Sequence, residues 1–168
     1  GGGRMSGVSL PRVLFGGVSS GSGKTTVACG VIQALRNRGM RLSAFKCGPD
    51  FIDPMFHARV LGSPSHNLDL FFTEEETVRG LLLRHSAGAQ LAVLEGVMGY
   101  YDGVGGTTPK AGSYDLSRAT ETPAVLVVPA RGASLSLAAV VGGFARFRPD
   151  GGVRGAVLNQ CPAAIYPR

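Results

Sequence analysis

The sequence predicts an α/β fold, in which a mostly parallel sheet lies between helices on both of its faces. Short continuous apolar runs alternate along the chain with segments whose apolar residues recur at helical spacing. Continuous apolar runs are typical of parallel strands that are buried on both faces. The connecting turns are rich in glycine, but the 26 glycines follow no repeat, so neither a collagen-like nor a disordered chain is indicated. These observations together predict a three-layer domain.

The first half of the chain predicts a strand, a helix and a second strand. Residues 12–15 are apolar and end in a glycine-rich turn, and residues 24–38 carry apolar side chains at helical spacing before a glycine. Residues 41–46 alternate as a second strand. Residues 48–67 contain three prolines and are expected to be mostly loop, with a helical turn or two at 55–61.

The second half of the chain continues the alternation of helices and strands. Thr73 is followed by three glutamates, which fits a capping box that opens a helix reaching about Ser86. A glycine-rich loop is expected over residues 98–113. Five further elements are predicted, namely strands at 90–94, 124–128 and 153–158 and helices at 114–122 and 134–147.

Length and composition set the limits of this domain. With 168 residues and 44% hydrophobic content the chain is the size of one domain, expected over residues 12–160, with a flexible tail at 1–11 and a truncated tail at 161–168. The net charge is +6, but the basic residues are scattered, so nucleic-acid binding is not expected and polyanion binding is only an alternative. No apolar stretch approaches the roughly 20 residues of a membrane span. Without a signal-peptide pattern, a cytoplasmic protein is expected.

The three cysteines, Cys29, Cys47 and Cys161, are widely spaced and form no Cys-x-x-Cys pair. This pattern supports neither a disulfide framework nor a zinc site. We expect all three to be buried as small hydrophobic residues.

The strongest motif is the loop after the first strand, which reads GVSSGSGKTT over residues 17–26. A phosphate group must be met by several backbone N–H groups, and glycines let the chain curl around it at a helix N-terminus. Lys24 would reach the β- and γ-phosphates, and the Thr25 hydroxyl would bind Mg²⁺. Five residues separate Gly17 from Gly23, whereas the general phosphate-loop motif has four.

Charged residues at the ends of two predicted strands are the next candidates. Glu95 follows a buried strand at the edge where α/β sheets bind ligands, so its carboxylate can hold Mg²⁺ directly or through water. Lys46 ends the second strand and can offset phosphate charge. Asp50 and Asp53 follow it and would share Mg²⁺ or position an attacking carboxylate, with turn formation beside proline as the alternative.

Four further residues have both a functional and a structural interpretation. Asp102 either faces the substrate or forms a turn. Tyr100 and Tyr101 either flank a flat ligand or pack as core aromatics, the interpretation we favour. Asn159, after the last strand, stands where a side-chain amide can read an adenine edge, and otherwise is a turn residue.

Four segments together resemble the ATP-binding domain of the cobyrinate a,c-diamide synthase family: the loop at 17–26, KCGPDFIDPMFH at 46–57, LEGVMGYYDG at 94–103 and VLN at 157–159. The resemblance covers about residues 12–160. The five-residue spacing of the loop is also that of the related dethiobiotin synthetases. The resemblance implies a phosphate-loop (P-loop) NTPase fold. It also implies a reaction in which ATP activates a carboxylate of a corrin-type macrocycle as an acyl phosphate, which ammonia converts to an amide.

The resemblance also implies the site residues, the cofactors ATP and Mg²⁺, and a homodimer. Catalytic roles are expected for Lys24, Asp50, Asp53, Glu95 and Asp102. Metal contacts are expected for Thr25, Asp50 and Glu95. Nucleotide contacts are expected for Gly17, Ser19, Ser20, Gly21, Ser22, Gly23, Lys24, Thr25, Thr26, Lys46 and Asn159.

The chain departs from the family in several places. Pro129 stands where the family usually has Asp, Cys47 and Phe51 replace its more common Val and Tyr, and no glutaminase domain is recognised. The chain is therefore interpreted as a synthetase domain that uses free ammonia, a separate glutaminase chain, or the rest of a longer enzyme. The alternatives are a nickel-sirohydrochlorin a,c-diamide synthase-like domain, a dethiobiotin-synthetase-like ATPase, a MinD/ParA-type switch ATPase and a non-catalytic remnant.

Overall fold

The computed structural model describes Met5, residues 7–49 and residues 65–160. Within them ten elements follow one another in the order β1 (Arg12–Gly17), α1 (Lys24–Asn37), β2 (Leu42–Cys47), β3 (Ser65–Leu68), α2 (Glu75–His85), β4 (Leu91–Gly99), α3 (Ser113–Thr120), β5 (Ala124–Pro129), α4 (Ser136–Arg146) and β6 (Val153–Asn159).

The strands form one six-stranded sheet in the order β3-β2-β4-β1-β5-β6. All five strand pairings are parallel. Every strand therefore ends at the same edge of the sheet, which is where ligands of open α/β sheets bind. The predicted α/β architecture is confirmed.

The two faces of the sheet carry separate hydrophobic cores. Leu94 faces the larger core, which includes residues of α2, α3 and α4, whereas its neighbour Val93 faces the smaller core under α1. This alternation follows from the two-residue period of a strand. Helices thus cover both faces of the sheet, as predicted.

Strand β3 is an element that the sequence did not predict, because residues 48–67 were expected to be mostly loop. It pairs with β2 from Ala44 opposite Ser65 to Cys47 opposite Leu68. The strand has only four residues, three of them polar, and lies at the sheet edge, so pairing with β2 specifies it rather than an apolar pattern. Residues 50–64, including the helical turns expected at 55–61, lie outside the described residues.

Strand β4 is longer than predicted and continues through Glu95 to Gly99. Its pairing with β1 runs to Phe15 opposite Glu95 and resumes at Gly17 opposite Gly99. Two extra residues of β4 are thus accommodated in a bulge, which we call the β4 bulge (residues 96–98). Glu95 therefore lies within the strand rather than at its end.

The capping box expected at Thr73 is wrong. Helix α2 has Glu74 as its N-cap, in extended conformation and without a side-chain cap hydrogen bond. The turn before it is instead organised by Asp69, whose carboxylate accepts hydrogen bonds from the N–H groups of Phe71 (3.0 Å) and Phe72 (2.9 Å).

The last part of the sheet is the least covered. Helix α4 buries only Leu137, and the residues of β6 between its two ends are exposed.

At the other end of the chain, Met5 is 3% exposed and belongs to the larger core, although residues 1–11 were expected to form a tail. No helix of the described residues has the length and apolar character needed to cross a membrane.

The buried strands predict a stability effect that depends on position. Replacing Leu94, which is fully buried, in the variant Leu94→Ala should lower the free energy of unfolding by about 2–5 kcal/mol, because it leaves a cavity in the larger core. Urea unfolding followed by circular dichroism measures this. Leu135 is 85% exposed, and Leu135→Ala is the control with an expected change below about 0.5 kcal/mol. Equal losses in the two variants would contradict the described packing.

Candidate nucleotide site

The loop between β1 and α1 closes on itself before the helix begins. The buried Ser22 hydroxyl donates a hydrogen bond to the Ser19 carbonyl oxygen (2.7 Å) and accepts one from the Ser19 N–H (3.2 Å). Gly21 and Gly23 have left-handed φ angles of 76° and 91°, which favour glycine. Gly23 is the N-cap of α1. The five-residue spacer thus folds into a turn that leads into a helix N-terminus.

A cavity of about 440 Å³ lies beside this loop. Its lining includes the predicted residues Ser20, Gly21, Gly23, Lys24, Thr25, Thr26, Lys46 and Glu95. The structure therefore brings together residues from the loop, α1, β2 and β4 at the carboxyl edge of the sheet. Val97 and Met98 of the β4 bulge also line the cavity, and the sequence did not identify them.

The Glu95 carboxylate lies at the centre of this arrangement and is 1% exposed. Its Oε1 atom accepts hydrogen bonds from the Thr25 hydroxyl (2.5 Å) and from the Lys46 ammonium (2.8 Å). The Lys46 ammonium also donates to the Gly96 carbonyl oxygen at 3.2 Å. The buried Oε2 atom of Glu95 has no hydrogen-bond partner among the described residues. A ligand that binds this carboxylate would therefore contact the buried Oε2 atom, because Oε1 already accepts two hydrogen bonds.

The Lys24 ammonium is directed into the cavity by backbone oxygens. It donates a hydrogen bond to the Met98 carbonyl oxygen at 2.9 Å and a longer one to the Ser19 carbonyl oxygen at 3.5 Å. Burial lowers the pKa of Lys24, repulsion from Lys46 lowers it further, and Glu95 opposes both. Both ammonium groups thus interact electrostatically with the Glu95 carboxylate, and their two positive charges favour an anion such as phosphate in the cavity.

Asn159, the last residue of β6, contacts the loop through its side chain. Its side-chain Nδ2 donates to the Ser22 carbonyl oxygen (3.2 Å), and a side chain at Gly23 would collide with it. The Asn159 carbonyl oxygen accepts from the Ala130 N–H at 2.7 Å. In this structure Asn159 supports the loop, and its predicted contact with adenine stays a prediction.

The predicted carboxylates outside the cavity are placed differently. Asp102 is exposed in the turn after β4, and its N–H donates to the Gly99 carbonyl oxygen (3.0 Å). Its carboxylate occupies the space that a side chain at Gly99 would need. It does not line the cavity beside the loop. Asp50 and Asp53 lie outside the described residues, so their predicted roles are untested.

The tyrosines pack as an aromatic cluster. Tyr100 is fully buried and its hydroxyl donates to the Gly151 carbonyl oxygen. The Tyr100 and Tyr101 rings are 4.9 Å apart between centroids in an edge-on arrangement, and Tyr101 stacks on Phe144 at 5.6 Å. Tyr100 therefore has a packing role. No cluster of three or more metal-ligating His, Cys, Asp or Glu residues occurs in the described part of the chain.

Comparison with known proteins agrees with the motifs. The chain matches the family described as CobQ/CobB/MinD/ParA nucleotide binding domain over residues 13–160. It is 41% identical to the cobyrinate a,c-diamide synthase of Listeria innocua over 152 residues, which cover 90% of this chain and 34% of that protein. It is 43% identical to the hydrogenobyrinate a,c-diamide synthase of Streptomyces coelicolor over 155 residues, 92% of this chain and 32% of that protein. The chain spans about a third of the length of these relatives. The predicted resemblance is confirmed.

Solved structures give the same fold at low sequence identity. The signal recognition particle 54 kDa protein of Aeropyrum pernix, in complex with GDP, superposes with a TM-score of 0.60 at 18% identity, covering 91% of this chain and 36% of that chain. Chloroplast FtsY of Physcomitrella patens gives 0.59 at 14% identity, covering 92% of this chain and 51% of that chain. These similarities support the predicted P-loop NTPase fold alone.

The buried ion pair between Lys46 and Glu95 predicts a large loss of stability when the Glu95 carboxylate is replaced by an amide. Glu95→Gln should lower the free energy of unfolding by about 3–5 kcal/mol, because it removes the negative charge that faces the buried Lys46 ammonium at 2.8 Å. Urea unfolding measures the loss, and the exposed Glu76→Gln is the matched control. The double variant Lys46→Met with Glu95→Gln should recover part of the loss, because it removes both charges. A loss in Glu95→Gln no larger than in the control would contradict the pairing.

Cys47 predicts a pH dependence of stability. Burial raises the pKa of its thiol from 9.0 to about 12, although Lys46 acts in the opposite direction. The unfolded chain therefore loses this proton at lower pH than the folded chain. The resulting stabilisation is complete below about pH 9 and is lost between about pH 9 and 12, by at most about 1.4 kcal/mol per pH unit.

The test compares unfolding free energies of the unsubstituted protein and Cys47→Ala over that pH range. The advantage of the unsubstituted protein should shrink as the pH rises. Leu68→Ala, at a buried residue opposite Cys47 on β3 that cannot ionise, should show a difference that does not change with pH. A constant difference for Cys47→Ala would show that the thiol ionises at similar pH in both states.

Proposed function

The chain belongs to the CobQ/CobB/MinD/ParA nucleotide binding domain family, and we propose that it is the ATP-binding synthetase domain of an enzyme that amidates the a and c carboxylates of cobyrinate. The arrangement of Lys24, Thr25, Lys46 and Glu95 around one cavity carries this proposal, since it provides a phosphate cradle and a buried carboxylate. The names of relatives about 40% identical supply the substrate class. We propose residues 12–160 as the domain.

The proposed reaction has two steps, phosphorylation of the carboxylate and its conversion to an amide. A carboxylate oxygen of the macrocycle attacks the γ-phosphorus of ATP, the bond from that phosphorus to the bridging oxygen breaks, and ADP leaves with the electron pair. Ammonia then attacks the acyl carbon of the acyl phosphate, loses a proton, and inorganic phosphate leaves. Such phosphoryl transfer needs positioning and charge neutralisation more than covalent chemistry from the protein.

Each residue of the cavity has a role in this scheme. The backbone of the loop binds the phosphates, and Lys24 and Lys46 neutralise the charge that develops on the transferred group. Asn159, which contacts the loop from the end of β6, is proposed to contact the adenine. Asp50, Asp53 and Asp102 are proposed to place the carboxylate and assist the transfer.

Mg²⁺ fits the donor set at Glu95. The Thr25 hydroxyl and the unpartnered, buried Oε2 atom of Glu95 are both hard oxygen ligands, with Asp50 as a further candidate. When bound, Mg²⁺ would reduce the repulsion between the γ-phosphate and the incoming carboxylate. Thr25 and Glu95 would hold it, while Lys46 keeps the Glu95 side chain in place.

The ammonia is proposed to come from a glutaminase domain or chain, because the relatives are about three times as long as this chain. We further propose a homodimer that works in the cytoplasm. A nickel-sirohydrochlorin or dethiobiotin-type carboxylate would use the same cavity, so substrate comparison decides between them. A MinD/ParA-type switch is less favoured, since residues 17–22 contain no additional lysine.

The proposal predicts phosphate release from ATP that depends on the macrocycle. With Mg²⁺, millimolar ammonium and cobyrinate or hydrogenobyrinate, the chain should release phosphate and form the amide, which mass spectrometry detects. Lys24→Ala should lower the rate about 100-fold or more, because it removes the charge nearest the phosphates. Lys110→Ala, an exposed residue outside the cavity, is the control.

The outcomes separate the alternatives. ATP binding without turnover in the presence of the macrocycle and ammonium would contradict the catalytic proposal. ATP-dependent dimerisation that needs no macrocycle would favour the switch ATPase. Preference for a nickel-sirohydrochlorin or a diaminopelargonate carbamate would change the substrate but keep carboxylate activation.

A further inference from the structure

The β4 bulge contains an unusual backbone conformation beside the phosphate cradle. Opposite Gly16 of β1, strand β4 carries three residues, Gly96, Val97 and Met98. Met98 has a φ angle of 51°, in the left-handed region that a residue with a side chain rarely adopts. Such a conformation persists only where the surrounding structure holds it.

Ser113, the first residue of α3, holds the bulge from the larger core. Its hydroxyl donates a hydrogen bond to the Val97 carbonyl oxygen and accepts one from the Val97 N–H, both at 2.9 Å. Ser113 is fully buried, and a Cβ at Gly96 would lie 2.9 Å from the Ser113 Cβ. Both polar groups of the Val97 backbone are thus satisfied by one side chain, for which Gly96 leaves the space.

The β4 bulge, held by Ser113, directs the Met98 carbonyl group toward Lys24. The Met98 carbonyl oxygen accepts the shorter hydrogen bond of the Lys24 ammonium, at 2.9 Å. The contact is made by the backbone oxygen, while the residue Met98 is 38% exposed. A continuous path therefore leads from Ser113 through the Val97 backbone and the Met98 carbonyl to Lys24.

We propose that Ser113 is a positioning residue for nucleotide binding, which acts through the β4 bulge to hold the Lys24 ammonium over the phosphate cradle. The inference rests on the proposed nucleotide function. A lysine side chain that is already ordered loses less conformational freedom when it meets a phosphate. Loss of the Ser113 hydroxyl would release the Met98 carbonyl, and the ammonium would have to be ordered on binding.

The test is calorimetric titration of the full chain and its variants with ATP and Mg²⁺. Ser113→Ala should raise the Kd about tenfold. The matched control is Ser117→Ala, at a buried serine of the same helix whose hydroxyl donates to the Thr122 carbonyl oxygen at 2.6 Å. Both variants lose a buried hydrogen bond, but only Ser113→Ala should change the Kd.

A double-variant cycle distinguishes the positioning of Lys24 by Ser113 from a general structural role of Ser113. In the Lys24→Ala background, Ser113→Ala should have no further effect on the Kd, because the group that Ser113 positions is gone. An equal tenfold effect in both backgrounds, or no effect in the unsubstituted background, would overturn the inference. If Ser113→Ala does not fold, Ser113→Cys keeps the size with a weaker donor and should raise the Kd about threefold. An unchanged Kd in Ser113→Cys would then overturn it.

The two proposals fail in different ways. If the unsubstituted chain does not bind ATP, the proposed function is wrong and this inference is wrong with it. If the chain binds ATP and Lys24→Ala weakens binding, but Ser113→Ala does not, only the role of Ser113 is wrong.

Discussion

The Glu95 carboxylate joins three parts of the chain that are far apart in sequence. One oxygen accepts hydrogen bonds from Thr25 on α1 and from Lys46 on β2, while Glu95 itself lies on β4. Removing charges from water is costly, and the attraction within a buried pair repays that cost only when the geometry is good. This contact therefore fixes the position of the helix N-terminus relative to the sheet. The phosphate loop, which leads into that helix, depends on it.

The sequence predicted much of this site because its signals are local. The loop at 17–26 shows its function through glycines and a lysine at fixed spacing, and Glu95 follows an apolar run that identifies a buried strand. Lys46 ends the second predicted strand, and the carboxyl ends of parallel strands meet at one edge of the sheet. Strand β3 was missed because its four residues have no apolar alternation and form a strand only by pairing with β2.

The contacts that could not be predicted run between backbone and side chain across the fold. A serine at the start of a helix is normally interpreted as a cap, yet Ser113 bonds to the backbone of Val97, sixteen positions earlier. Asn159 likewise contacts the phosphate loop, 137 positions away from Ser22. Such contacts depend on which strands are neighbours in the sheet, and the spacing of residues along the sequence does not reveal the strand order.

The number of extra residues in the β4 bulge determines which face of the sheet the residues after it occupy. From Phe15 to Gly17 strand β1 advances by two residues, while β4 advances by four from Glu95 to Gly99, so the excess is an even number. An even excess returns the following residues to the faces they would otherwise occupy, whereas an odd one would invert them. Tyr100 therefore packs against Gly16 in the same core as Leu94. Insertions in the β4 bulge are therefore constrained. One added residue would turn the Tyr100 side chain away from the larger core, whereas two added residues would leave it there.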